Sequence, residues 1–165
     1  MAISNLKKPL FFAVWCMVLL GGDCFANAAT LLFDFEADAD LQGIHDEGKT
    51  ALGSETTLER AERFATSGRF ALKFSTPGWR EGKPQWPSFD CRPPVADWTG
   101  FDRLAFDITS VSHQPQGLSL FISDSKTPTR RGLHYTVRLA PFSYTPVVIP
   151  LAQLAEKQIN PADIG

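Results

Sequence analysis

The chain has 165 residues, with 16 basic and 18 acidic side chains and a formal net charge of −2 at pH 7. A chain of this length can form one domain with a sizeable hydrophobic core. Its balanced, slightly acidic composition offers no basic surface of the kind that nucleic acids require, so we expect no nucleic-acid partner.

The N-terminal residues have the layout of a secretory signal peptide. Lys7 and Lys8 precede the apolar run Leu10–Leu20, and Ala26-Asn27-Ala28 then places small residues at alternate positions. A basic region, an apolar run and small residues at the cleavage site follow one another in this order in signal peptides. The sequence therefore predicts a signal peptide over residues 1–28 and a secreted or periplasmic protein that has no membrane attachment after cleavage.

Two other interpretations of this segment stay open. A membrane anchor would need a longer apolar run than Leu10–Leu20 to cross a bilayer comfortably. A lipoprotein would be modified at Cys24, but Asp23 is unusual beside a modified cysteine. Cleavage after residue 28 would leave 14 of the 16 basic and 17 of the 18 acidic residues, and Cys91 as the one cysteine. An intrachain disulfide is then excluded, so the core or a metal must stabilise the domain.

From residue 29 onward the chain alternates between apolar and polar side chains in short segments separated by Gly, Pro, Asp and Ser. This pattern is typical of strands joined by turns. In the first segment, Leu31, Phe33 and Phe35 are predicted to face one way. Leu32, Asp34 and Glu36 are predicted to face the other way. Further strands are predicted at residues 56–62, 70–75, 88–92, 104–108, 118–122, 135–139 and 147–151, and one or two helical turns at 151–157.

About eight short strands with so little helix predict an all-β protein, an antiparallel β-sandwich. Six large side chains at alternating positions are predicted to form its core. They are Phe33, Phe35, Phe70, Phe74, Phe106 and Ile122. Burial of each one contributes about 1.5–3 kcal/mol before the entropy of ordering is subtracted.

One phrase of the chain is more specific than the rest, residues 97–108 with the sequence DWTGFDRLAFDI. Together with the segments 32–36, 67–74, 86–89 and 148–151, it resembles galactose-binding-like jelly-roll modules attached to secreted bacterial glycoside hydrolases. The resemblance covers roughly residues 30–165. It implies a jelly-roll fold for residues 29–165 and a role in holding carbohydrate or supporting a catalytic domain, not in catalysis.

The same resemblance bears on the C-terminus. Residues 160–165 look like the approach to a further strand, and in the resembling modules one more strand with an acidic pair follows. An open sheet edge without it would leave the core uncovered. We therefore expect residues 29–165 to be an incomplete domain, the N-terminal part of a larger glycoside hydrolase with its catalytic domain elsewhere.

A loop rich in Pro and Gly carries the first candidate sugar-binding residues, Trp79, Arg80 and Trp86. An exposed indole can stack on the C–H face of a sugar ring, and a guanidinium at its rim can hydrogen-bond the hydroxyls. The alternative is that these indoles pack against the end of the barrel. Trp98 is predicted to be structural, because the turn that follows it anchors a core strand.

The second candidate set is Phe121, His134 and Arg138. Strict alternation places them on the faces opposite to Leu120, Tyr135 and Leu139. In jelly-roll sugar binders one sheet face often carries the ligand, and an aromatic ring beside Arg and His suits an oligosaccharide or an acidic sugar. The alternative is an ordinary solvated face.

Asp34 and Glu36 are the candidate metal ligands. Two carboxylates two residues apart in a strand can join backbone carbonyls around Ca²⁺, which prefers oxygen ligands. The resemblance implies that a structural calcium ion ties the first strand to the last. The alternative is a charge pair at the sheet edge.

Catalytic motifs do not stand out in the sequence. No pair among the acidic residues is singled out as the two carboxyl groups that a glycosidase needs, and there is no nucleophile elbow or zinc spacing. The expected function is therefore a non-catalytic carbohydrate-binding or accessory module whose partner is a polysaccharide or oligosaccharide. The alternatives are a small polysaccharide-degrading enzyme of the same fold and a purely structural module between domains.

Overall fold

A computed structural model of the chain describes residues 10–20, 29–46, 57–77, 81–82, 87–127 and 131–165. Strands dominate these residues, and every strand pair in them is antiparallel. The prediction of an all-β protein is confirmed. Within the same ranges, no helix has the length and apolar character needed to cross a membrane.

The described residues contain ten strands and one short α-helix. The strands are β1 (Leu10–Leu20), β2 (Ala29–Phe33), β3 (Ile44–Asp46), β4 (Thr57–Ala61), β5 (Ala71–Thr76), β6 (Phe89–Cys91), β7 (Arg103–Ser110), β8 (Gln116–Ile122), β9 (Leu133–Leu139) and β10 (Tyr144–Pro150). The helix α1 spans Ala152–Glu156, inside the predicted range, and 3₁₀ turns occupy Asp38–Gly43 and Pro161–Asp163.

Six of the strands form one sheet in the order β10-β7-β1-β5-β4, with β2 also paired to β1. Two smaller sheets, β3 with β6 and β8 with β9, complete the described strands. Buried side chains from the large sheet and from both small ones belong to a single core cluster. Among its most deeply buried members are Leu72, Ile108, Leu139 and Ile149.

The apolar run that the sequence predicts as a signal peptide lies at the centre of the large sheet. One edge of β1 pairs with β7, and the other edge pairs first with β5 and then with β2. Val14 is in register with Ile108 on one side and with Leu72 on the other. A strand that is buried on both faces has a continuous apolar sequence, and so does the central part of a signal peptide. The sequence pattern alone therefore does not distinguish the two. Cleavage after Ala28 stays a prediction; the role as a strand was not predicted.

The alternation predicted for residues 31–36 is wrong. Leu31 is 48% exposed, whereas Leu32 and Phe33 are both buried. β2 ends at Phe33, and Phe35 has φ 61°, a left-handed backbone that no strand continues through. Arg60 holds this bend, because its Nε donates to the Phe35 carbonyl at 2.6 Å.

The bend brings Phe35 back into the core, where its ring stacks on that of Phe33 with centroids 5.9 Å apart. Of the six predicted core residues, all are buried except Phe70, which precedes β5 and is partly buried. The guanidinium of Arg60 lies 4.0 Å from the Phe70 ring centre, so the exposed side of this ring is covered by a cation.

The C-terminal residues are fastened to two loops. The Trp98 amide donates to the Pro161 carbonyl at 2.7 Å, and the Ile164 amide donates to the Ala96 carbonyl at 2.9 Å. Ile164 also forms an isolated antiparallel bridge with Asp124. The predicted approach to a further strand is therefore a 3₁₀ turn followed by a single bridge.

The two ends of the large sheet are protected from pairing with other chains. β10 lies at one end and contains Pro146 and Pro150, which lack an N–H to donate. β4 lies at the other end and carries Glu59 and Arg60. Prolines and charges at such positions discourage edge-to-edge association.

Candidate functional site

The exposed side of the β8–β9 pair brings the second candidate set together. Cross-strand register pairs Phe121 with His134 and Gly117 with Arg138. We call this surface the hairpin face and define it as Gly117, Ser119, Phe121, His134, Thr136 and Arg138, all of which are exposed. The alternate positions on the two strands are buried or partly buried against the core. The alternation that the sequence predicted here is confirmed.

Two rings form the centre of the hairpin face. Phe121 and His134 are stacked with centroids 4.6 Å apart and planes within 1° of parallel. Phe121 is nevertheless 49% exposed, so much of its ring is open to a ligand. A ring nitrogen of His134 lies 3.3 Å from the Thr136 hydroxyl, which helps to fix the imidazole orientation. Each ring covers one face of the other, so a ligand can pack only on the part of the pair that stays exposed.

Arg138 borders this surface at the far end of β9. Its cross-strand neighbour is Gly117, and a Cβ added to that glycine would meet no atom within 4 Å. The space directly above Gly117 is therefore open. Since Arg presents several fixed N–H donors, it can hydrogen-bond two neighbouring hydroxyls or one carboxylate of a ligand in this space.

Chemically, the hairpin face is suited to binding and not to bond cleavage. It contains one imidazole and no carboxyl group, so it lacks the second acid or base that hydrolysis of a glycosidic bond requires. An aromatic plane with hydroxyl and guanidinium groups at its margin matches a ligand that has an apolar face and a polar rim.

The loop candidates Trp79, Arg80 and Trp86 lie outside the described residues, so their roles stay predictions. Trp98 is buried, and its indole Nε1 donates to the Val95 carbonyl at 2.8 Å. The structural role predicted for Trp98 is therefore confirmed, since an indole enclosed in this way has no free face for a sugar.

Asp34 and Glu36 do not lie on one face of a strand as predicted, because both follow the end of β2. Glu36 Oε1 accepts hydrogen bonds from the backbone amides of Arg69 at 2.6 Å and Phe70 at 2.9 Å. Asp34 Oδ1 accepts one from the Glu36 amide at 2.9 Å. In the part of the chain that the structure describes, no three His, Cys, Asp or Glu side chains are grouped to hold a metal. The calcium site stays a prediction.

Asp40 is an acidic residue near this segment that sequence reasoning missed. Partial burial raises its pKa above the usual range, and a hydrogen bond to the Asp34 carboxyl and repulsion between the two charges raise it further. The Oδ2 atom of Asp40 is buried and has no hydrogen-bond partner among the described residues. Burial is accordingly the first cause of the raised pKa of Asp40.

A second polar-aromatic group lies on the outer side of the large sheet. Tyr144 is 54% exposed, and a hydrogen bond from its hydroxyl to Asp107 raises the pKa of Tyr144. The Thr66 hydroxyl donates to the same carboxylate at 2.9 Å. Alternation along β10 places Tyr144 opposite to the buried Val147 and Ile149, so the sequence held a signal for its exposure.

Cys91 is free and largely buried. Burial, followed by the nearby Asp90 charge, raises the pKa of its thiol to about 12. Since the thiolate is the nucleophilic form, the raised pKa disfavours a nucleophilic role for Cys91 at neutral pH.

The chain matches no family model, no curated protein and no solved structure. One fold can host many activities, so the chemistry of the site carries the functional assignment.

Proposed function

We propose that residues 29–165 form a secreted or periplasmic, non-catalytic carbohydrate-binding module of the galactose-binding-like jelly-roll type, and that the hairpin face is its sugar site. The observation that carries the proposal is the stacked, half-exposed pair of Phe121 and His134, with Arg138 on the same face. The resemblance of residues 97–108 to such modules supports the assignment.

A sugar ring can make two kinds of contact with the hairpin face, stacking on an aromatic ring and hydrogen bonding through its hydroxyls. A pyranose ring has a flat patch of C–H bonds that packs on an aromatic ring, with its hydroxyls directed sideways. On the hairpin face, the Ser119–Thr136 pair lies next to the aromatic pair, and Arg138 lies one step further along the strands. Their hydroxyl and guanidinium groups can bind the sugar hydroxyls. Arg138 also favours a sugar that carries a carboxylate, through a charge-assisted hydrogen bond.

One observation supports the β-sandwich part of the proposal. Buried side chains of the large sheet, to which β1 also belongs, and of the β8–β9 pair contribute to the same core. Two layers of antiparallel strands around one core are the general arrangement of β-sandwich proteins. In such an arrangement, the outer face of β8 and β9 is left free for a ligand.

The test is glycan binding by the protein and by two single variants. Phe121→Ala removes the ring from the hairpin face, and we expect at least tenfold weaker binding, which corresponds to about 1.4 kcal/mol. Phe142→Ala is the matched control, because Phe142 is also exposed, at 62%, and also contacts a histidine ring, that of His113 at 4.5 Å. Equal affinity of the Phe121→Ala and Phe142→Ala variants would contradict the proposed site.

A Trp79→Ala variant separates the two sets of candidates. If it abolishes binding while Phe121→Ala has no effect, the loop and not the hairpin face holds the sugar. The two alternative functions, a polysaccharide-degrading enzyme and a structural module, predict different results in the same assays. Turnover on a panel of polysaccharides would identify an enzyme, and a folded protein that binds no glycan at all would identify a structural module.

A further inference from the structure

The charges of the chain are unevenly distributed along its sequence. The whole chain has 16 basic and 18 acidic residues, whereas residues 108–155, which include β8, β9 and β10, have four basic residues and one acidic residue. The single acid is Asp124, which is 6% exposed. Its carboxylate accepts hydrogen bonds from the backbone amides of Lys126, Thr127 and Asn160. This segment of a slightly acidic protein is therefore cationic.

Two of the four basic residues, Arg131 and Arg138, are exposed on β9 or directly before it. Arg138 lies on the hairpin face, and Arg131 lies in the connection that precedes β9. Within the part of the chain that the structure describes, neither guanidinium forms an ion pair, whereas four other cations do. These four are Arg60, Arg69, Lys73 and Arg103. Both guanidinium groups are therefore available to a negatively charged ligand.

Lys126 differs from these two arginines because acidic groups lie next to it. The Asp124 carboxylate accepts from the Lys126 amide, and the Asp163 carboxylate accepts from the hydroxyl of the neighbouring Ser125. These carboxylates offset part of the Lys126 charge. The cationic ends of the site are therefore Arg131 and Arg138.

The aromatic pair of the hairpin face lies between the two arginines along β9. Arg131 precedes His134 by three residues, and Arg138 follows His134 by four. At about 3.3 Å per residue in a strand, the two arginine positions are at most about 23 Å apart. A single sugar ring that packs on Phe121 does not reach both arginines, whereas a polysaccharide chain does.

We propose that the hairpin face and Arg131 together bind an acidic polysaccharide, a chain of sugar rings of which some carry carboxylates. The inference rests on the sugar-binding function proposed above and specifies its ligand. The aromatic pair packs on one ring, and Arg131 and Arg138 bind carboxylates of units further along the chain. A guanidinium binds a carboxylate through two parallel charge-assisted hydrogen bonds, which are stronger than its bonds to neutral hydroxyls. The hairpin face itself contains no carboxyl group that would compete.

The experiment measures binding of the full chain to fragments of glucuronoxylan, polygalacturonate, alginate and hyaluronan. Each is used in its native form and after reduction of its carboxyl groups to alcohols, which removes the charge and keeps the sugar ring. We expect at least one native form to bind about tenfold more tightly than its reduced form. This preference should weaken as the ionic strength rises, because salt screens exposed charges.

Substitution of either arginine should affect the charged ligand alone. Arg131→Ala and Arg138→Ala should each weaken binding of the native form about threefold to tenfold and change binding of the reduced form by less than about twofold. Arg63→Ala is the matched control, since Arg63 is also exposed and also lies beside an aromatic ring, 5.2 Å from the centre of Phe64. It should leave both affinities unchanged.

Three results would overturn the proposal. One is that no native form binds more tightly than its reduced form. Another is an equal loss of binding in the Arg63→Ala and Arg138→Ala variants. The third is equally tight binding of a single-stranded DNA fragment, which would indicate a nucleic-acid surface or a general attraction of anions.

The Phe121→Ala variant distinguishes failure of this proposal from failure of the proposed function. If binding of the reduced and native forms is equal and both are lost in Phe121→Ala, the acidic ligand is rejected and the sugar site on the hairpin face is retained. If binding of the native form depends on Arg131 and Arg138 but not on Phe121, stacking of a sugar on the hairpin face is rejected and the anionic ligand is retained.

Discussion

β1 and the β8–β9 pair are both built from strands, but only the second shows its structural role in the sequence. The β8–β9 pair has one buried and one exposed face, so its side chains alternate in character and predict both faces correctly. β1 is apolar throughout, and this pattern fits both a membrane-targeting segment and a strand in the middle of a sheet. Alternating apolar and polar side chains show which face of a strand is exposed. A uniformly apolar segment shows only that its side chains avoid water, and it leaves the type of structure open.

The two regions also differ in what a substitution should do. β1 joins the two halves of the large sheet, so damage there should affect the stability of the whole domain. The hairpin face lies on the outside, so changes there should affect binding and leave stability nearly unchanged.

The largest effect is expected from Leu19→Asp in the uncleaved chain. A carboxylate at this fully buried position would be unpaired, and we expect a loss of about 4 kcal/mol or more in the free energy of unfolding. Leu31→Asp on β2 is the control, since Leu31 is half-exposed and should tolerate the charge. Urea unfolding measures both. Similar midpoints for the two variants would mean that β1 is not part of the folded sheet.

A smaller effect is expected within the β8–β9 pair from Leu139→Ala. Leu139 is buried in the core, and its truncation should cost about 2–5 kcal/mol. The neighbouring Arg138→Ala should change the unfolding free energy by less than about 0.5 kcal/mol, because Arg138 lies on the hairpin face. Denaturant melts of the two variants would show the two faces separately, and a reversed order would contradict the observed register.

Asp124, which follows β8, should make the protein sensitive to acid. Backbone amides and the Thr127 hydroxyl hydrogen-bond its carboxylate, with the Asn160 amide as the largest contribution, and they lower the pKa of Asp124 below 3.8. The stability from these bonds is present above pH 3.8 and is lost as the pH falls through the lower, folded value.

Thermal melts should show Asp124→Asn to be less stable than the original chain at pH 7. This difference should shrink as the pH falls below 3.8. A difference that is independent of pH would show that the ionised form has no special role.

Asp40 lies in the 3₁₀ turn that follows β2. Its ionisation should lower the stability of the folded protein, whereas ionisation of Asp124 raises it, and the effect should be smaller. Its pKa is raised by burial and by Asp34, so ionisation of Asp40 above pH 3.8 lowers the stability of the folded protein. Asp40→Asn removes the charge, and we expect a gain of less than about 1 kcal/mol at pH 7 because water screens this partly exposed pair. The gain should disappear at pH 3, and a destabilised variant at pH 7 would reject the carboxyl contact.

The sequence was sufficient wherever local patterns determine the structure. Alternation along β8 and β9, the short helix at Ala152–Glu156 and the buried role of Trp98 all follow from patterns within one segment. The prediction for residues 31–36 failed because Phe35 adopts a left-handed backbone held by Arg60, a residue 25 positions away. No local pattern encodes such a contact.

The same distinction applies to the candidate site. Phe121, His134 and Arg138 were correctly predicted to be exposed, because the two-residue period of each strand separates them from its buried side chains. Their stacking distance and the open space beside Gly117 depend on cross-strand register, which periodicity leaves undetermined. The effect of Asp34 on the pKa of Asp40 was missed for a related reason, since it depends on how the bend and the 3₁₀ turn after β2 place the two carboxyl groups.

The prolines of β10 show where this sheet is at risk of aggregation. Its outer end is shielded by Pro146 and Pro150, whereas β5 and β7 contain no proline. The edges of β5 and β7 are covered by β1 in the folded sheet. Any loss of that pairing would therefore expose edges without proline to self-association.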